Sequence, residues 1–167
     1  MRLAWVFFFL AFVGWNSPVF SQYIVGQVIH VADGDTFVMT SGKKKIKVRL
    51  YGIDAPENGQ DFANASREFL QTLILNYNVR VTKKYTDRFR RIVGIVVFED
   101  QNVNERLLEM GYAWHHKKYD QNPEWVDMET RARAAGKGLW SMPNPTAPWE
   151  FRKQDFEKLK SKNLGIQ

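Results

Sequence analysis

The segment Lys43 to Tyr51 sets the strongest limit on what this chain can fold into. Ile46, Val48 and Leu50 point one way while Lys45, Lys47 and Arg49 point the other, a period of two that belongs to a strand and not to a helix. One face of that strand is therefore buried, and Arg49 is held on the polar face by its neighbours. Upstream, Ile24 to Val31 and Thr36 to Thr40 read as two further strands around the turn Asp33-Gly34, and Ser41-Gly42 turns the chain into the third. A three-stranded meander follows, bracketed by two acidic turns. Asp33 and Asp35 lie in the first, and Asp54-Ala55-Pro56-Glu57 forms the second.

The rest of the chain completes a single domain. The spacing of Phe62, Ala65, Phe69, Leu70, Leu73 and Ile74 predicts a helix over about Phe62 to Asn76. Val79 to Tyr85 and Ile92 to Phe98 read as two more strands. Asn102 with Glu105 resembles a capping box for a short helix that ends at Gly111. A third helix is marked by Asn122 as cap, Pro123 at its first position and Gly136 past its end, with Trp125, Met128, Ala132 and Ala135 facing the core. Five strands with a helix inserted after the third, and two helices later, predict an α+β domain on a five-stranded Greek-key barrel of the OB type, a fold that binds nucleic acid on one face.

Both ends lie outside that domain in this reading. Arg2, the apolar run Leu3 to Trp15 and the small residues before Gln22 have the layout of a signal peptide over residues 1–21, which predicts a secreted or periplasmic protein. An uncleaved membrane anchor is disfavoured, because the run is short of the roughly 20 apolar residues that span a bilayer. The domain then covers 22–142. Residues 143–167, rich in proline and lysine, read as a tail ordered partly or not at all.

The chain has no cysteine, which removes thiol nucleophiles and thiolate metal sites. Its net charge of +6 favours a polyanionic partner such as nucleic acid. Taken singly, Asp33-Gly34 is a good hairpin turn, Asp54 to Glu57 a turn leaving a strand, and Arg49 a cation on a solvated face. Taken together they are harder to dismiss. Carboxylates that cluster repel one another unless a cation neutralises them, and a hard divalent ion such as calcium takes oxygen ligands. A guanidinium fork in turn matches phosphate. His115 and His116 point to opposite sides of a strand and have no spaced third ligand, so they read as surface residues. Trp114, Trp125 and Trp140 read as core.

Four blocks in order carry a specific resemblance. Asp33-Gly-Asp-Thr36, Arg49-Leu-x-x-Ile-Asp-Ala-Pro-Glu57, Thr86-Asp-Arg-Phe-x-Arg91 and Val103-Asn-Glu105 resemble the staphylococcal nuclease (thermonuclease) family over about Tyr23 to Trp140. The resemblance implies calcium held by Asp35, Asp54 and the backbone carbonyl of Ala55, with Asp33 in support. It implies Glu57 as the base that activates water, and Arg49 and Arg91 as the pair that grips the phosphate. Arg91 is chosen over Arg90 by register. Ala55 stands where a well-known member has threonine, a change that a carbonyl ligand tolerates. Arg88 and Phe89, and by the same token Tyr119, match positions that contact the nucleotide. The implied activity is hydrolysis of single- and double-stranded DNA and of RNA with little sequence preference, leaving 3′-phosphates. The expected state is a monomer with no stable membrane association after processing. A non-catalytic binding module on the same barrel is the alternative, and the full set Asp35, Arg49, Asp54, Glu57 and Arg91 argues against it.

Overall fold

A computed structural model of the protein describes residues 23–163. The expected signal peptide lies outside the described residues, among which no helix is long and apolar enough to cross a membrane.

Strands β1 (Tyr23–Val31), β2 (Thr36–Ser41) and β3 (Lys44–Leu50) form the expected meander, with Thr36 paired to Arg49 and Phe37 to Val48. A two-residue strand β4 (Ile53–Asp54) and helix α1 (Ala63–Ile74) follow. The chain then returns in β5 (Asn78–Thr86), which pairs with β1, and β6 (Ile92–Phe98), which pairs with β5. Parallel pairing of β6 with β3, Val48 against Ile92 and Leu50 against Gly94, closes the sheet on itself. This is the five-stranded α+β barrel that the strand pattern predicts. Val28, Phe37, Met39, Val48, Leu50, Val81 and Val96 fill its interior.

After β6 come a two-residue strand β7 (Gln101–Asn102), helix α2 (Val103–Glu109), strand β8 (Trp114–His115), which pairs with β4, and helix α3 (Pro123–Ala134). Both predicted caps form. Asn102 Oδ1 accepts the Asn104 N–H at 3.0 Å, and Asn122 Oδ1 accepts the Glu124 N–H at 3.0 Å. Buried Asn104 spans the closure: its Oδ1 accepts the Val96 N–H at 3.0 Å, and its Nδ2 donates to the Tyr51 carbonyl at 2.8 Å.

Three details differ from the expected pattern. In α1, Leu70 and Ile74 are buried as predicted, but so is Ser66, which is satisfied by donating to the Tyr112 carbonyl at 2.8 Å. In α3, Ala135 is exposed, and buried Glu129 takes an inward place by accepting the His115 N–H at 3.0 Å. His115 itself is not at the surface. The pairing of β8 with β4 (Ile53 against His115) turns its ring into the core, with Nε2 3.1 Å from Asp120 Oδ1.

Of residues 143–167, Ala147 is 3 % exposed and packs with Trp114 and Leu139, and helix α4 covers Pro148–Asn163. Its first turn is docked on the domain. Trp149 lies edge-on to Trp114 at 5.5 Å, and the Gln60 side chain donates to the Thr146 carbonyl at 3.1 Å. From Lys153 to Lys162 the helix is exposed.

Candidate active site

The first acidic turn is held by its own backbone. Asp33 Oδ1 accepts the Asp35 N–H at 3.0 Å, the local bond that makes aspartate favourable in turns. Gly34 allows the turn to press inward: a Cβ there would lie 2.7 Å from both the Ala55 and the Ser66 Cβ atoms. The Asp35 side chain is thereby buried. It accepts from Thr36 Oγ1 at 2.9 Å and Arg49 Nη1 at 2.8 Å through Oδ1, and from the Ala55 N–H at 3.0 Å through Oδ2. That last bond ties the two acidic turns together. Burial pushes the Asp35 carboxyl up to about 7; Arg49 opposes the rise, and neighbouring Asp33 and Asp54 add to it.

Arg49 reaches across from β3 and bridges both aspartates, donating through Nη2 to Asp54 Oδ1 at 2.6 Å. Burial works against its charge, but Asp35 and Asp54 outweigh burial and hold the guanidinium protonated more firmly than usual. Asp54 is fully buried at the end of β4. Its second cationic partner comes from α4: Arg152 donates to Asp54 Oδ1 at 3.2 Å and Oδ2 at 2.8 Å, and also to Glu57 Oε1. Glu57 is far more open than Asp35 or Asp54, with its side chain 37 % exposed, so water can reach it. Its N–H donates to Gln60 Oε1 at 2.7 Å.

The fold thus brings Asp33, Asp35, Arg49, Asp54, Ala55 and Glu57 to one end of the barrel. Arg91 stands next door. It immediately precedes β6, whose Val93 pairs with Arg49, and its Nε donates to Asp87 Oδ2 at 2.7 Å. Asp87 also accepts the N–H groups of Phe89 and Arg91, each at 2.9 Å. These bonds shape a loop in which Arg90 takes a left-handed φ of 64° and is exposed while Arg91 is half-buried. Phe89 is 64 % exposed, with the Arg88 and Arg91 guanidiniums 4.8 Å and 5.4 Å from its ring centre. The ring is thus solvent-exposed with two cations packed over it. Tyr119 is also exposed, its ring 4.6 Å from His116. His116 in turn lies 5.2 Å from Trp149. Burial and the nearby Arg152 and Arg49 lower the His116 pKa against the pull of Asp54, so its ring is neutral near pH 7.

Sequence reasoning did not find Arg152, His116 or Thr36 in this setting. Thr36 lay within a motif already singled out. Arg152 had one available signal, Pro148 at the first position of a helix, which is the same signal used at Pro123.

A closed barrel with acids and arginines clustered at one end offers oxygen ligands for a hard cation and guanidinium forks that match phosphate geometry. Residues 47–142 match the family described as Staphylococcal nuclease homologue. A Haemophilus influenzae protein described as an uncharacterized endonuclease is 39 % identical over 130 residues, covering 77 % of this chain and 73 % of the relative. An Escherichia coli protein of the same description is 37 % identical over 136 residues, covering 81 % and 89 %. The micrococcal nuclease of Shigella flexneri is 35 % identical over 139 residues, covering 77 % and 80 %. The chain belongs to the staphylococcal nuclease family. Asp33, Asp35 and Arg152 lie outside the span 47–142.

Proposed function

We propose that this nuclease is calcium-dependent, cuts single- and double-stranded DNA and RNA with little sequence preference, leaves 3′-phosphate ends, and acts as a monomer outside the cytoplasm. Hydrolysis of phosphodiester bonds comes with its family. The observation that carries the calcium dependence is the bridge Asp35–Arg49–Asp54, two buried carboxylates facing one guanidinium, with Glu57 beside them.

The donor set suits a hard cation. Among the described residues no three His, Cys, Asp or Glu side chains form a ready-made metal cage. Two carboxylates and a carbonyl are instead a partial oxygen set, which a calcium ion completes with water and substrate oxygens. Asp35, Asp54 and the Ala55 carbonyl would hold it; burial chiefly raises the Asp35 pKa and the nearby Asp54 adds to it, and a divalent charge would offset both. When bound, calcium supplies Lewis-acid stabilisation of charge on phosphate oxygens.

The chain's own groups do the remaining work. Glu57 takes the proton from the attacking water. Water oxygen bonds to phosphorus, the bond from phosphorus to the 5′-oxygen breaks, the departing 5′-oxygen takes a proton from solvent to become a hydroxyl, and the phosphate stays on the 3′ side. Arg49 and Arg91 stabilise the charge that grows on the equatorial oxygens. Phe89, Arg88 and Tyr119 hold bases and backbone, by contacts that do not depend on sequence. Action outside the cytoplasm rests on the apolar start of the chain, and N-terminal sequencing of exported protein tests it.

The test is hydrolysis of heat-denatured DNA. Chelator is expected to abolish cutting and calcium to restore it, and Arg49→Ala is expected to lower kcat by about 100-fold or more. Undiminished cutting in excess chelator contradicts the proposal. So does binding without cleavage across several divalent ions, the behaviour of a non-catalytic module.

A further inference from the structure

Residue 152 lies beyond the span that matches the family, yet its side chain sits in the site. Helix α4 delivers it by a built attachment. Gln60 joins the loop after Glu57 to the lead-in of α4, accepting the Glu57 N–H at 2.7 Å and donating to the Thr146 carbonyl at 3.1 Å. Ala147 is buried, and Trp149 packs on Trp114 and His116. Past Arg152 the helix leaves the domain surface. The docked part of α4 thus ends where its guanidinium reaches Asp54 and Glu57.

We propose that Arg152 is a positioning residue of the reaction. Its planar fork takes both oxygens of Asp54 and one of Glu57, so a single cation fixes the water-activating carboxylate against the metal-binding one. Without it, Glu57 is a half-exposed glutamate with several rotamers open to it, and its carboxylate spends less time where an attacking water needs it. The same contact has a cost. Arg152 occupies lone pairs of Asp54 and adds positive charge beside the place a cation would take, so it opposes metal binding. The inference rests on the roles proposed for Asp54 and Glu57.

That pair of effects yields a signature that a structural prop cannot give: removing Arg152 should tighten calcium binding and still slow the reaction. In the full chain, Arg152→Ala is expected to lower kcat by ~10- to 100-fold, the weight of hydrogen bonds to charged groups, with little change in KM for DNA. Calcium binding measured by calorimetry without substrate is expected to tighten by roughly threefold or more. Arg152→Lys, which keeps the charge but cannot span both acids, should recover only part of kcat. Equal or faster cutting by Arg152→Ala overturns the inference, because the contact is then idle or inhibitory. A fall in kcat accompanied by weaker calcium binding and a lower Tm also overturns it, because Arg152 then only supports the fold. A wild-type chain that fails to cut overturns the proposed function and this inference together. An active wild type beside an equally active Arg152→Ala overturns this inference alone.

Discussion

Asp35 gives the site its pH dependence. Its folded pKa of about 7 lies above its ordinary value of 3.8, so between those limits the folded state binds more protons than the unfolded one. The metal-free protein therefore loses the stability contributed by protonated Asp35 as pH rises toward about 7, and regains it as pH falls. A metal held by Asp35 must displace that proton, so calcium affinity weakens as pH drops through about 7, and protons are released on binding. Thermal unfolding of the metal-free protein checks the first half. The Tm of wild type should decline across this interval relative to Asp35→Asn, which has no carboxyl to titrate; parallel curves for the two would contradict the assignment. At the neighbouring positions, Arg49 and Arg152 both pair with Asp54 inside the fold, a burial that an unpaired carboxylate does not tolerate.

The barrel elements depend on closure, and Asn104 at the β3–β6 seam is its most exacting polar residue. Asn104→Ala leaves the Val96 N–H and the Tyr51 carbonyl without their buried partner and should cost ~2–4 kcal/mol in urea unfolding. A loss below about 0.5 kcal/mol would show that the clamp is dispensable. The elements most legible in the sequence were those with a strong local signal. Alternation marked β3, Asn122-Pro123 marked the start of α3, and Gly111 and Gly136 marked helix ends. The pair β4 and β8 was not legible, because two-residue strands have no period and exist only where closure brings them together. The same pairing buries His115, whose neighbours in sequence gave no hint of it. Helix α4 was not legible either, because a proline-rich lead-in and many lysines mask the start signal at Pro148.

At the scale of the whole molecule, the site is a convergence of separate parts. The first acidic turn, β3, the end of β4 and its following loop, and α4 each supply one charged group or more. Asp35, Arg49, Asp54 and Glu57 could be grouped from the sequence because one meander and its two flanking turns carry them all. Arg152 could not, since its place depends on how α4 docks nearly a hundred residues later. The net charge of +6 favours the approach of a polyanion, and under the proposed function the acids take up a cation before a phosphate binds. That requirement is the central claim, and calcium titration by calorimetry on wild type, Asp35→Ala and Asp54→Ala tests it most directly. The account predicts one calcium site in the wild type, lost or severely weakened in each variant while both remain folded. Calcium binding unchanged in either variant would contradict it.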